Sequence, residues 1–418
     1  MADADDEATP RPDRPGEGGC AGWRAGYAVA DITPGLAGPR IHLAGYGVRR
    51  AGAVRDPLEV QAVALEHGDT GLVVVALDSL GLPHQDARAI AGSATAGTDG
   101  PQAVVVCCTH THAAPDLIGL WGPGPGVSGI DPSYRGQVIA AAAQTAVRAW
   151  NRRRPAALRS AALAVEGVAY NARDPEILDP LLTSLCWRDA DDIPVVRVLH
   201  FACHPEALGG GDTRISADLA GAARRATAAL HGSPCVWWPG ALGGMVTPLR
   251  RPEESGEDTL VRLGLRLAAA AADAIRHERP ATGGLRLARA AVSLPLANPA
   301  LQTAAAAGIL GRHPEPTDAG PGITSSAGLL QTGPYLWNLA PGEVLPGLAR
   351  RWAAWLGAES GMEPRLLGLC DDELGYILGA ADFTPGRYEE SMSLGPETAP
   401  RLEAAYEALL RDWRPSPP

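Results

Sequence analysis

The chain has 418 residues, of which 46% are hydrophobic and 20% charged, as in an ordinary globular protein with a large core. The net charge of -11 and the lack of a basic stripe argue against nucleic-acid binding. All 36 basic residues are arginine, which with the 50 Gly and 37 Pro indicates GC-rich coding rather than a particular function.

The first 24 residues form an acidic segment rich in Pro and Gly, without the apolar core of a secretory signal. We expect this tail to be disordered, and residues 25–413 to form one domain. No apolar stretch is long enough to span a bilayer. The cysteines lie mostly in strand-like apolar runs, as buried reduced thiols do. These features together predict a cytoplasmic protein without stable membrane association, whose oligomeric state is left open.

Strand-like and helix-like segments alternate along the chain, which predicts an α/β fold with mixed sheets and flanking helices. Strands are predicted near residues 26–32, 58–66, 72–78, 103–108, 182–188, 195–202, 234–238, 284–294 and 365–370. Helices are predicted over residues 132–153, 217–231, 257–278, 345–357 and 397–412. Segment 295–340 has little periodicity and several Gly and Pro breaks. It is therefore expected to form a long loop that could cover a site.

Two histidines follow the apolar run Val104–Cys108, in the segment Thr109-His110-Thr111-His112. Side chains two positions apart on an extended strand face the same side. If the strand continues through Thr111, both imidazoles face one space at its carboxyl end, where open α/β sheets bind ligands. Paired imidazoles are typical zinc ligands. The alternative is that one histidine packs in the core and the other lies in a turn.

A second apolar run, Val195–Ala202, also ends in a histidine, His204, which is followed by Pro205. Two buried strands that each end in a histidine suggest one shared site. His200 lies inside the run and is better explained as a core histidine.

The two histidine segments belong to a set of five short segments whose sequences and order along the chain resemble those of a known family. They are THTHAAP at 109–115, FACHP at 201–205, SADLAGAA at 216–223, PGEVLPGLARR at 341–351 and GLCDDELGY at 368–376. They are similar to the THTHSGP, HP, GD-x-x-GYA, PGEFTT-x-x-GRR and GL-x-N-x-Y-x-x-Y segments of the neutral (non-lysosomal) ceramidases. The resemblance extends from about residue 25 to about residue 400. It implies a fold like the catalytic domain of those zinc amidases.

The resemblance implies that His110, His204, Glu343 and Tyr376 bind Zn²⁺, and that His112 contacts the substrate or the zinc-bound water. Imidazole and carboxylate ligands suit catalytic zinc, which polarises a carbonyl and lowers the pKa of bound water to about 7. Tyrosine is an unusual ligand because its phenol has a pKa of about 10. Without the resemblance, Glu343 could simply begin a helix and Tyr376 could simply pack.

Two further site residues are implied by the resemblance. Thr247 stands where the ceramidases have the Ser of a G-D-V-S-P-like turn, and its hydroxyl could stabilise an oxyanion. Met245 replaces the Asp of that turn, which puts the substrate in doubt. Arg173 matches the Arg of an Asn-Arg-Ser segment only with a slip of one residue. It is a candidate for binding a carbonyl or a carboxylate.

These features together predict a zinc-dependent hydrolase that cleaves a linear N-acyl amide bond. Secreted ceramidases carry a signal and a C-terminal β-sandwich domain, neither of which is evident here. We therefore expect a small soluble acyl-amide substrate in a specialised pathway. Three alternatives stay open: a zinc-dependent biosynthetic enzyme that does not hydrolyse, an esterase or lactonase, and a non-catalytic binding protein. A Ser-His-Asp hydrolase is disfavoured because no Gly-x-Ser-x-Gly segment is present.

Overall fold

The computed structural model describes residues 22–36, 41–97, 99–317 and 320–413. The strands are β1 (Trp23–Asp31), β2 (Ala53–Val54), β3 (Glu59–His67), β4 (Thr70–Leu77), β5 (Ala103–Cys108), β6 (Arg154–Ala164), β7 (Ala169–Asn171), β8 (Leu181–Arg188), β9 (Pro194–Phe201), β10 (Arg214–Ile215), β11 (Cys235–Pro239), β12 (Val246–Pro248), β13 (Arg279–Pro280), β14 (Leu285–Pro295), β15 (Glu315–Thr317), β16 (Gly320–Thr332), β17 (Tyr335–Leu339), β18 (Glu343–Val344), β19 (Glu363–Leu367) and β20 (Tyr376–Ile377). The helices are α1 (His84–Thr95), α2 (Pro132–Asn151), α3 (Asp218–His231), α4 (Gly256–His277), α5 (Pro299–Ala306), α6 (Pro346–Ser360), α7 (Tyr388–Ser391) and α8 (Thr398–Trp413). None of the described helices is both long enough and apolar enough to cross a bilayer.

A nine-stranded mixed sheet forms the larger half of the fold, in the order β11-β9-β8-β6-β1-β3-β4-β5, with β13 against β6. The pairs β4–β5 and β9–β11 are parallel, and the other pairs are antiparallel. β4 and β5 are nearly continuous apolar runs, as expected for strands covered on both faces. The sheet curves until β11 contacts β4 and β5, which brings its two edges together.

A short connection joins those two edges. The Gly368 amide donates to the Pro239 carbonyl at the end of β11 (3.0 Å), and the Asp371 amide donates to the Val106 carbonyl in β5 (2.7 Å). Cys370 forms an antiparallel bridge with Cys107. Residues 368–371, which we call the edge bridge, therefore connect the end of β11 to β5, the strand that precedes His110.

A five-stranded sheet, ordered β14-β16-β17-β19 with β15 against β16, forms the smaller half and packs with α6 and α8. Most of segment 295–340 belongs to this half, as α5, β15, β16 and β17. The prediction of a long loop there was therefore wrong. β16 contains the run Thr324-Ser325-Ser326, whose small polar residues lack the apolar alternation of a strand, and it is fixed instead by its partners β14 and β17.

All nine predicted strands and all five predicted helices are present, with ends displaced by a few residues. Neither α1 nor β6 is predicted by the sequence pattern. β6 reads RPAALRSAALA, a composition with little strand preference that is held by β8 and β1. Most of the predicted N-terminal tail lies outside the described residues, and Trp23 and Arg24 already belong to β1.

Candidate metal centre

His110 lies in a tight turn just beyond β5. The strand ends at Cys108, and His110 has a φ of +70°, a left-handed conformation that is uncommon for residues other than glycine. The strand therefore has the predicted bounds, 103–108, and it does not continue through Thr111. The turn, rather than the pleat of a strand, brings the rings of His110 and His112 to 4.9 Å. The His110 amide donates to the Ser79 carbonyl (2.9 Å), which ties this turn to the end of β4.

His204 lies three residues beyond the end of β9. Its amide donates to the Val246 carbonyl at 2.8 Å, and the ring of His204 lies 4.8 Å from that of His110. The histidines that follow β5 and β9 therefore lie side by side, as predicted, although the two strands are far apart in the order of the sheet. His200 is buried within β9, and its Nε2 contacts the Leu366 carbonyl at 2.8 Å. This position confirms that His200 is a core histidine.

Glu343 lies between the two ligand candidates. Its Oε2 is 3.0 Å from the Nε2 of His204 and 3.5 Å from the Nε2 of His110. Burial alone would raise the pKa of this carboxyl, but the charges and hydrogen bonds of His110 and His204 lower it below its usual range. α6 begins only at Pro346, so Glu343 belongs to β18 and not to the first turn of a helix.

The three residues fit a divalent metal ion. The Nδ1 of His110 donates to the Leu80 carbonyl (2.7 Å) and that of His204 to the Val246 carbonyl (3.1 Å). These bonds fix the tautomer of each ring and leave both Nε2 atoms as ligands, a typical arrangement behind metal-binding histidines. One ligand atom from each of His110, His112 and His204 also lies within 4.8 Å of the others. Zinc takes this imidazole and carboxylate donor set.

Tyr376 lies beside Glu343 because β18 and β20 pair in parallel, with Glu343 opposite Tyr376. The phenol oxygen lies 3.1 Å from the Sδ of Met245. Burial, and then the charge of Glu343, raise the pKa of the phenol well above its usual range. Tyr376 is therefore placed to reach a metal ion, but its phenol keeps its proton unless a cation is present.

His112 is supported by an acid that the sequence analysis missed. The Oε2 of Glu206 lies 3.5 Å from the Nδ1 of His112 and accepts a hydrogen bond from Tyr46 at 2.5 Å. Burial lowers the pKa of His112 to about 3 in spite of Glu206, so the ring is neutral. Burial alone would raise the pKa of Glu206, but the nearby histidines and hydroxyls lower it to about 2. The only feature of the sequence that could have indicated this role is the position of Glu206 directly after His204-Pro205. Its contact with Tyr46 depends on the fold.

The Thr247 hydroxyl donates to Glu206, so it belongs to the same network as His112. Its predicted contact with a substrate oxygen stays a prediction. The guanidinium of Arg173 is bonded to Glu389 (2.8 Å), Glu390 (2.8 Å) and the Asp382 carbonyl (2.9 Å). This position holds α7 beside the site, and substrate binding by Arg173 likewise stays a prediction.

A pocket of about 840 Å³, including its open mouth, leads to the imidazoles. Its metal end contains His110, His112, Glu343 and Tyr376. Most of the rest is apolar, and it is lined by Ile118, Leu120, Trp121, Leu296, Leu301, Ala305, Leu310, Ile323, Leu374, Met392 and Leu394. The shape and lining suit a ligand with an apolar chain and one polar reacting group.

No family model and no curated protein matches this sequence. Solved structures do match. The crystal structure of neutral ceramidase from Pseudomonas aeruginosa superposes with a TM-score of 0.80 at 16% identity, over 95% of this chain and 75% of that chain. A ceramidase complexed with C2 superposes with a TM-score of 0.78 at 16% identity, over 95% and 76% of the two chains. The chain has a neutral ceramidase-like fold. The fold predicted from the five segments is thereby confirmed.

Proposed function

We propose that this protein is a zinc-dependent hydrolase that cleaves the amide bond of a small N-acyl substrate. The observation that carries the proposal is the convergence of two imidazole Nε2 atoms on one carboxylate oxygen at the end of an apolar pocket. The ceramidase-like fold supports it, since the solved structures with this fold include ceramidases.

His110, His204 and Glu343 would hold the zinc ion, with Tyr376 as a fourth, weaker ligand. A bound zinc ion supplies Lewis acidity, which polarises a carbonyl group and acidifies water. The acyl chain would occupy the apolar part of the pocket, and the aliphatic walls would keep bulk water away from the scissile carbonyl.

His112 would transfer a proton from the attacking water to the leaving nitrogen. Its neutral ring can accept a proton from the attacking water and deliver it to the leaving nitrogen. Glu206 would stabilise the imidazolium formed in between, because its carboxylate lies 3.5 Å from the Nδ1 of His112. Tyr46 and Thr247 hold Glu206 in place. If the Thr247 hydroxyl is released from Glu206 when substrate binds, it could donate to the carbonyl oxygen.

The first experiment is elemental analysis of the purified protein before and after incubation with zinc. We expect about one zinc ion per chain, lost in both His110→Ala and His204→Ala and retained in His200→Ala, a matched control because His200 lies in the core. Absence of zinc from the zinc-treated wild type would overturn the proposal.

A parallel assay measures carboxylic acid released from N-acyl amides and from the corresponding esters. We expect amide hydrolysis that depends on zinc. Exclusive cleavage of esters or lactones would make the protein an esterase. Zinc binding without turnover of any amide or ester in the panel would favour a binding protein on the same scaffold.

A further inference from the structure

One buried carboxyl group at the metal end of the pocket is not used by the mechanism above. Glu373 lines the pocket, is only 7% exposed, and accepts a hydrogen bond from the Gly375 amide through Oε1 (2.8 Å). Its Oε2 is buried and has no hydrogen-bond partner among the described residues. Buried polar atoms of native proteins are nearly always paired, so an unpaired one in a pocket indicates a group that a ligand completes.

The neighbouring acids do not share this property. Asp371 accepts a hydrogen bond from the Val106 amide (2.8 Å) and pairs with Arg289 (3.0 Å). Asp372 pairs with Arg312 and accepts from Ser325 (2.7 Å). Arg312 binds Glu373 only through the backbone carbonyl (3.0 Å), so it does not neutralise the Glu373 side chain.

Two contacts place Glu373 at the reacting end of the pocket. A Cβ on Gly81 would lie 2.5 Å from the Cγ of Glu373, so the side chain packs directly on the backbone next to Leu80, whose carbonyl orients His110. Gly375, which donates to the Oε1 of Glu373, accepts a hydrogen bond from the Glu343 amide (3.0 Å). Glu373 therefore shares its backbone neighbours with two of the candidate metal ligands, His110 and Glu343.

The chemistry of the side chain matches a hydroxyl group. A carboxyl oxygen accepts a hydrogen bond from a hydroxyl whether or not it is ionised, and a protonated carboxyl also donates one. Burial raises the pKa of Glu373 well above its usual range, which favours the protonated form.

We propose that Glu373 binds a hydroxyl group carried close to the scissile carbonyl, so that the pocket selects hydroxylated acyl chains over plain ones. This inference rests on the proposed function for the identity of the reacting group. Glu373 is here a specificity residue, and it takes no part in the chemistry itself.

The test measures binding of an uncleavable pair, octanoyl methyl ketone and its alpha-hydroxylated counterpart, by titration calorimetry to the zinc-treated protein. We expect the hydroxylated ketone to bind the wild type about tenfold more tightly, the effect of one buried hydrogen bond. Glu373→Gln should keep most of this preference because an amide both donates and accepts. Glu373→Leu should abolish it, and Leu301→Ala, a control on the apolar wall, should weaken both ligands equally. Thermal unfolding confirms that each variant folds.

Equal affinity of the wild type for the two ketones, or binding of neither, would overturn the proposal. So would a preference that survives in Glu373→Leu. Loss of the preference in Glu373→Gln would also overturn it, because the amide still offers an acceptor and a donor at the same place. Because the ketones cannot be hydrolysed, a clear preference without turnover of any N-acyl amide, plain or alpha-hydroxylated, would leave the hydroxyl site standing and refute only the hydrolase function.

Discussion

The two ends of the pocket are built on different principles. At the metal end, the Nδ1 atoms of His110 and His204 are fixed by backbone carbonyls, and the Nε2 atoms of both rings lie against the carboxylate of Glu343. The wall contributed by residues 296–323 consists mostly of aliphatic side chains that make no directional bonds. One end of the pocket therefore fixes atoms in place for chemistry, whereas the other end supplies a shape that selects the chain of the ligand.

We expect the largest effect from Glu343→Gln, which should impair zinc binding without changing the apolar wall. The amide keeps the shape of the side chain but removes the charge between two imidazoles, so we expect weaker zinc binding and hydrolysis reduced at least about a thousandfold. Binding of octanoyl methyl ketone should change little, as measured by calorimetry. A parallel loss of ketone binding would show that the two ends of the pocket are not separable.

The rigidity of the metal end can be tested through Arg224, a buried arginine in α3. It pairs with Asp78, which follows β4 and also accepts a hydrogen bond from Thr109 (3.2 Å) beside His110. Arg224→Met should lower the free energy of unfolding by about 3–5 kcal/mol, since it leaves a buried carboxylate without its partner.

The control is Arg289→Met, where the arginine side chain is 31% exposed and pairs with Asp371. Its expected cost in urea unfolding is at most about 1 kcal/mol. Similar losses in the two variants would contradict the larger contribution that we assign to the fully buried pair.

Glu206→Gln tests the support of His112 while leaving the four proposed zinc ligands intact. Removal of the negative charge beside the ring should lower kcat about ten- to a hundredfold with KM nearly unchanged. Zinc content should stay at the wild-type level. A lowered zinc content would mean that Glu206 acts on the metal site as a whole.

We expect the smallest effect on hydrolysis from a substitution in the apolar wall of the pocket. Leu301→Ala removes apolar surface from α5 and should raise KM for an octanoyl amide about threefold to tenfold, or about 1 kcal/mol. Hydrolysis of the acetyl amide should not change, because so short a chain does not reach α5. An equal effect on both amides would indicate that α5 acts on the reacting end.

The sequence predicted the metal end better than the wall for a physical reason. The apolar runs before His110 and His204 define buried strands from local pattern alone, and the five ordered segments add the positions of Glu343 and Tyr376. β16 contains polar residues where a strand needs apolar alternation, so its structure depends on partners distant in sequence. Glu206 and Tyr46 are 160 residues apart, and no local pattern predicts their contact.

The turn at His110 shows a second limit of local reasoning. The prediction that the two imidazoles share one space was correct, but the assumed extended backbone was not. The side chain is placed by hydrogen bonds to residues 79 and 80, which follow β4, a neighbouring strand in the sheet.

The edge bridge has a consequence for the order in which the site is assembled during synthesis. Both histidines leave the ribosome long before residues 343 and 376, and residues 368–371 must follow before the two edges of the sheet are tied. A nascent chain that has reached the end of α4 carries two imidazoles but lacks the carboxylate that lies between them. The proposed centre is therefore completed only after residue 376 has left the ribosome, so a metal ion held by all four proposed ligands would bind after the strands that carry the two histidines have been made.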